Sequence, residues 1–215
     1  MKKIILPALL AASLFAAPAF AQKPAVKKTN PGTEKAASVA YAVQPQLSTL
    51  GWVGKKVTGQ HNGNIQFKDG NVLVRGNQIV GGTFVVDMNS LKVEDIKEQE
   101  YNGKLVGHLR SEDFFSIDKN PTSTFKITSL TPLKGDANGN NATVNGELTI
   151  KGITKPVSFP AKVGVKNGVA SASGTATIDR TKYDIKYGSK SFFESIGDKA
   201  IMDEFTMSFN VIAKK

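Results

Sequence analysis

From about Val39 onward the dominant pattern is a period of two, and it is cleanest in three stretches of the C-terminal half. In the first, Ala142, Val144, Gly146, Leu148 and Ile150 share one face while Thr143, Asn145, Glu147 and Thr149 share the other. In the second, Val157, Phe159, Ala161, Val163 and Val165 oppose Ser158, Pro160, Lys162, Gly164 and Lys166. The third sets Phe205, Met207, Phe209, Val211 and Ala213 against Thr206, Ser208, Asn210, Ile212 and Lys214, where Ile212 alone breaks the pattern. Side chains alternate across a strand, so each stretch has a dry face and a wet one. That is the signature of strands in an antiparallel sheet.

The same rule predicts strands over 39–43, 49–57, 63–68, 71–75, 78–88 and 122–129. Turn residues separate them at Asp69-Gly70, Gly76-Asn77 and Lys166-Asn167-Gly168. Short strands with one apolar face can bury it only against each other, which means a sandwich or a closed barrel. The candidates outnumber eight, which leaves room for some neighbours to be one bent strand. Two stretches depart from the period. Asp95 to Asp113 carries Tyr101, Leu105 and Leu109 at spacing four, which predicts a helical crossover interrupted near Asn102-Gly103. Ser191-Phe192-Phe193-Glu194 reads as a capping box that opens a short helical turn ended by Gly197. Both are candidates to lie across a barrel mouth.

The N-terminus changes the picture of where the chain resides. Lys2 and Lys3 precede an apolar run from Ile4 to Ala17, followed by Pro18 and the small-residue pattern Ala19-Phe20-Ala21. This is the pattern of a cleavable signal peptide over residues 1–21, with cleavage expected after Ala21. The run is shorter than the roughly 20 residues of a spanning helix, and no later stretch is longer. Residues 22–38 combine prolines, lysines and small polar residues without an apolar period and read as a flexible leader. Residues 39–215 remain for the folded domain.

The chain of 215 residues has no cysteine, which removes disulfides and a lipidated cysteine from consideration. Export without cysteines fits a bacterial periplasm. Net charge is +10, or +8 once Lys2 and Lys3 leave with the signal, and the lysines are scattered singly. A solvated basic exterior explains this better than a nucleic-acid surface, although transient contact with an anionic membrane surface remains compatible. Nothing in the sequence sets the oligomeric state, and a homodimer is compatible with it. His61 and His108 sit on separate segments without metal-ligand spacing. No Gly-x-Ser-x-Gly signature accompanies the scattered serines, so no catalytic residue and no cofactor is expected. Asp87 and Asp179-Arg180 read as turn or ion-pair residues.

Several segments together resemble the YceI-like lipid-binding proteins. They are Gly82-Thr83-Phe84-Val85-Val86-Asp87-Met88, His108 to Phe115, and Asn120-Pro121-Thr122-Ser123-Thr124-Phe125. Gly146 to Val157 and Ile178-Asp179-Arg180-Thr181 complete the set, in order across nearly the whole mature chain. The resemblance implies an all-β fold: a single antiparallel lipocalin-like β-barrel of about eight strands with one or two short helical crossovers. It also implies a periplasmic, non-catalytic carrier or store for a long-chain lipid such as a polyisoprenoid. One departure is Asp184-Ile185, where many relatives carry Gly-Ile.

If the interior is such a tunnel, its lining is expected from Trp52, Phe84, Val86, Phe125, Ile127, Leu148, Ile150, Phe159, Phe205 and Phe209. Phe114, Phe115, Phe192 and Phe193 are expected at the mouths. Alternation alone does not decide the matter, because an eight-stranded barrel is wide enough either to be filled by side chains or to hold one small ligand. The inward faces mix these large residues with Ala142, Gly146, Ala161, Ala170, Ala172, Gly174 and Ala176, which leave room. The alternative is a solid barrel whose phenylalanines fill that room, serving as a structural or stress-response module of the envelope with a basic exterior.

Overall fold

Among the described residues nine strands carry the period-two pattern: β1 (Val39–Val43), β2 (Thr49–Lys56), β3 (Gly59–Arg75), β4 (Gln78–Val93), β5 (Thr122–Pro132), β6 (Ala142–Ile150), β7 (Ile153–Lys166), β8 (Val169–Asp179) and β9 (Ile201–Lys214). One helix, α1 (Gln99–Arg110), joins β4 to the segment before β5. The structure is a computed structural model and describes residues 37–215. The expected signal peptide and all but the end of the leader lie outside those residues.

Every pairing is antiparallel, and the sheet runs β3-β2-β9-β8-β7-β6-β5-β4 before β4 returns to β3 and closes the ring. β1 pairs with β3 and with the end of β9, the same two strands that flank β2. β1 and β2 therefore occupy one position in the wall, broken by a 3-10 turn at Pro45–Leu47. The result is an eight-position barrel, and closure removes the exposed edges that an open sandwich would keep. Two ladders are incomplete. β7 pairs with β8 only from Ala161↔Gly174 to Lys166↔Val169, which leaves Ile153 to Pro160 without a partner on that side. β4 pairs with β5 only from Gly82↔Ile127 to Asp87↔Thr122.

Local chemistry explains where sequence and structure agree or part. Asn167 (φ 51°) and Gly168 (φ 74°) form the expected hairpin between β7 and β8, and Lys151 (φ 50°) with Gly152 (φ 74°) forms another between β6 and β7. Two successive positive φ values define the turn whose twist matches the flanking strands. The turn expected at Asp69-Gly70 does not form, since neither residue has positive φ and β3 continues through both. That pair instead takes up a register shift between Phe67 and Asp69, a β-bulge at which the Asp69 carboxylate accepts the Gly70 N–H at 2.7 Å. The predicted strands at 63–68 and 71–75 are thus one bent strand.

The helical crossover forms, but without a break at Asn102-Gly103. The Asn102 amide donates to the carbonyls of Val93 and Ile96, both at 2.9 Å, tying the first turn of α1 to the end of β4. Tyr101 points outward and is 62% exposed. The helical turn expected at Ser191 to Glu194 is absent. Ser191 spends its hydroxyl on the Asp203 carboxylate instead of capping, and the N–H groups of Phe192 and Phe193 both bond to the Ser189 carbonyl. Gly197 opens a single 3-10 turn rather than ending a helix.

Asn102→Ala is expected to lower stability by about 1–2 kcal/mol in denaturant unfolding, through loss of two side-chain hydrogen bonds. Tyr101→Ala should change it by no more than about 0.5 kcal/mol, because that face of α1 meets water.

Candidate functional site

The barrel is hollow. It encloses a cavity of about 290 Å³, against the roughly 10–15 Å³ that admits one water. The inward residues of β7 and β9 register this directly: Val157, Phe159, Phe205, Met207 and Phe209 are only half buried although they face the interior. Around β1, by contrast, Tyr41, Val43, Val72, Val74, Ala170, Val211 and Ala213 pack into a solid cluster. One end of the barrel therefore has a packed floor and the middle does not.

The middle is ringed by aromatic side chains. Phe67 of β3, Phe84 of β4, Phe125 of β5, Phe159 of β7 and Phe209 of β9 form a chain of contacts with successive centroid distances of 6.2, 6.2, 5.4 and 5.4 Å. The strands between them contribute glycine. A Cβ on Gly146 of β6 would lie 2.6 Å from the Lys126 carbonyl oxygen and run into the Phe125 ring. One on Gly174 of β8 would lie 3.0 Å from the Phe209 ring. The rings thus lie over the glycines, against the wall, so the bulk of the phenylalanines is kept out of the lumen. Ala172 and Ala176 extend the small-residue wall.

At the helix end the cavity is bounded by Leu105 and Leu109 of α1 and by Phe114 and Phe115. Phe115 meets Phe205 edge-on at 6.4 Å, and Phe114 is 7% exposed. Its rim carries Lys55, Lys56, His61, Met202 and Glu204. His61 Nδ1 sits 2.8 Å from Asp95, and His108 Nε2 sits 3.2 Å from Asp113. Each histidine is thus paired with a carboxylate. Among the described residues no group of three or more His, Cys, Asp or Glu is placed to hold a metal ion.

The segment after β8 is held by Arg180, which is 4% exposed. Its guanidinium donates to the carbonyls of Met202, Ile185, Tyr187 and Ile201 at 2.8–3.1 Å and stands 3.5 Å from Asp203. Burial pulls the Arg180 pKa below its ordinary value, against the opposing charges of Asp203 and Asp179. Burial pushes the Asp203 carboxyl up, but hydrogen bonds from Ser189 and Ser191 and the Arg180 charge outweigh it, and the net shift is downward. Asp179 accepts the N–H and hydroxyl of Thr181, a turn bond, and Asp87 accepts the N–H of Asn89. The departure at Asp184 falls on a left-handed residue (φ 58°), where glycine is easiest and Asp is among the residues that tolerate the strain. Tyr183 is 1% exposed, and its pKa is pushed up to about 12 by burial and the nearby Asp179 charge. Its Oη has no hydrogen-bond partner, a state that costs about 1–3 kcal/mol.

Of the residues expected from sequence, Trp52, Phe84, Val86, Phe114, Phe115, Phe125, Ile127, Leu148, Ile150, Phe159, Phe205 and Phe209 all line the cavity. Trp52 also anchors the wall, its Nε1 donating to the Lys92 carbonyl at 3.1 Å. Phe192 and Phe193 do not line it; they are 49% and 50% exposed on the outer surface. Without the helical turn, nothing directs them inward. Lining residues not anticipated include Ile65, Phe67, Met88 and Leu91. Ile65 and Phe67 sit at the register shifts of β3, Met88 at the last position of the expected strand, and Leu91 in the part of β4 beyond it.

A closed eight-position barrel around an apolar lumen, capped by one helix, defines a lipocalin-like binding-type fold. The match to the YceI-like domain covers residues 41–213, and the chain belongs to that family. A UPF0312 protein of Pseudomonas paraeruginosa is 41% identical over 85 residues, 37% of this chain and 42% of that protein. Protein YceI of Shigella flexneri is 45% identical over 56 residues, 26% of this chain and 27% of that protein. The matched segments thus span less than half the length of these relatives. Among solved structures, Burkholderia cenocepacia BcnA superposes with a TM-score of 0.61 at 22% identity, covering 80% of this chain and 99% of that one. A polyisoprenoid binding domain from Saccharophagus degradans, implicated in plant cell wall breakdown, gives 0.55 at 14% identity, covering 81% and 97%. At these identities the likeness concerns the fold.

Gly146→Ala is expected to destabilise the protein by about 1–3 kcal/mol in chemical denaturation, since its methyl group meets both a backbone carbonyl and the Phe125 ring. Asp203 makes its contribution to stability above the ordinary carboxylate value of 3.8, and loses it as pH falls through its lower folded value. Melting curves recorded from neutral pH downward should therefore show a shallower acid loss for Asp203→Asn than for the parent protein.

Proposed function

We propose that this protein holds a single long-chain amphiphile, a polyisoprenoid or a molecule like it, in the barrel lumen, and acts as a non-catalytic periplasmic carrier or store. The hollow lumen walled by apolar side chains is the observation that carries the reading. Burying each methylene there contributes about 0.8 kcal/mol, so ten contribute roughly 8 kcal/mol before the cost of ordering the chain. No polar chemistry is required for binding of that strength. The fold shared with a polyisoprenoid binding domain supports the ligand class. The basic start, short apolar run and Ala19-Phe20-Ala21 pattern support export with cleavage after Ala21. The alternative of a solid envelope module has the scattered lysines in its favour but not the interior.

Native mass spectrometry of protein purified from its own host tests the proposal. A bound species whose mass is released into organic solvent is expected, and consistently empty protein would sink the idea. Ala172→Phe, which places a ring in the lumen, should cut the bound fraction at least about tenfold while leaving the far-ultraviolet spectrum unchanged.

A further inference from the structure

The wall of the barrel is split beside Tyr183. β7 and β8 stop pairing below Ala161↔Gly174, although β7 still pairs with β6 down to Ile153 and β8 still pairs with β9 down to Asp179. Pro156 and Pro160, four residues apart, share one edge of β7. Because the β6 ladder is unbroken past both, that edge is the one facing β8, and neither proline supplies an N–H there to close the gap. Extending the register places Val157 opposite Ile178 and Ser158 opposite Thr177.

A cleft of about 200 Å³ occupies the split, lined by Pro156, Val157, Ser158, Thr177, Ile178, Asp179, Lys182 and Tyr183. Val157 and Ile178 also line the lumen, so the two spaces are separated by a single layer of side chains. Two buried side-chain atoms among the described residues lack a hydrogen-bond partner, Tyr183 Oη and Asp203 Oδ1. The second stands 3.5 Å from Arg180. Tyr183 Oη has no such neighbour and belongs to a residue of the cleft.

We propose that the split between β7 and β8 is a lateral port, through which the tail of the amphiphile enters the lumen while its polar end rests in the cleft, where opening of the split uncovers the buried Tyr183 hydroxyl. The port rests on the lipid-binding reading above. The hydroxyl donates to a hydrogen-bond-accepting head group such as a carboxyl group, and the Lys182 ammonium, 3.9 Å from Asp179, offsets that residue's charge in the cleft. Thr177 and Ser158 are outward-facing and exposed, so separating the strands there breaks no buried packing on the outer face and parts only Val157 and Ile178 on the lumen side. Tyr183 Oη is the one buried hydroxyl without a partner among the described residues, so the unladdered stretch between β4 and β5 has none.

The chain has no cysteine, so Ser158→Cys with Thr177→Cys gives a clean pair for a short bifunctional thiol linker. Parinaric acid, a fluorescent linear polyene carboxylate, is the probe, and Trp52 on the lumen wall is the energy donor in stopped flow. Linked protein is expected to take up and release the probe at least about tenfold more slowly than the same protein capped with a monofunctional reagent, with equal final occupancy. Unchanged rates at full occupancy would overturn the port. Thr177→Trp, which fills the cleft without a linker, should slow exchange likewise. Tyr183→Phe should weaken parinaric acid about tenfold but not the polyene hydrocarbon lacking the carboxylate; equal loss for both would overturn the head-group assignment. No uptake by the unmodified protein would refute the lipid-binding reading itself, a result distinct from fast exchange through a linked wall.

Discussion

The contact on which the lumen depends is the packing of phenylalanine rings over glycine. In a ring of eight strands every second side chain points inward, and five phenylalanines pointing to the axis would fill it. Gly146 and Gly174 let the rings of Phe125 and Phe209 fold back over β6 and β8, where each approaches Phe159 at 5.4 Å. The aromatic bulk then stiffens the wall instead of occupying the centre. Burial of large apolar surface and retention of free volume, normally opposed demands, are met by the same side chains.

The two ends follow from this arrangement. Where the belt stops, β1 and the end of β9 bring Val43, Val72 and Ala213 into a solid floor. At the other end α1, Phe114 and Phe115 form a cover of side chains, and the Arg180 guanidinium ties two carbonyls of the loop that follows β8, those of Ile185 and Tyr187, to two at the start of β9, those of Ile201 and Met202. A cation buried so completely is tolerated because each of those hydrogen bonds is charge-assisted and Asp203 stands beside it. It fixes the backbone on either side of Tyr183 and so fixes the lower margin of the β7/β8 split.

Much of this was legible in the residues. Alternation located β6, β7 and β9 to within a few positions, and the same parity placed Phe125, Leu148, Phe159 and Phe205 on the inner wall. What alternation could not carry was the state of the interior, because a filled barrel and a hollow one have the same parity. The signal was in which strands alternate large residues with glycine, and reading it required knowing that β6 lies between β5 and β7. Asp69-Gly70 misled because a bulge and a turn favour the same dipeptide, and only the sign of φ separates them. Ser191 to Glu194 misled because the hydroxyl that would cap a helix found the Asp203 carboxylate, a long-range partner invisible to a local rule. With the helix went the inward placement of Phe192 and Phe193.

The central claim, that the lumen is built to surround a chain, is tested most directly by the electron density inside the barrel of protein crystallised as isolated from its host. A continuous rod of density running along the axis, in contact with Phe125, Phe159 and Phe209 and reaching the cleft at Tyr183, is the result expected. Rings of Phe125 and Phe209 turned off their glycines to meet across the axis, with no space between them, would contradict it.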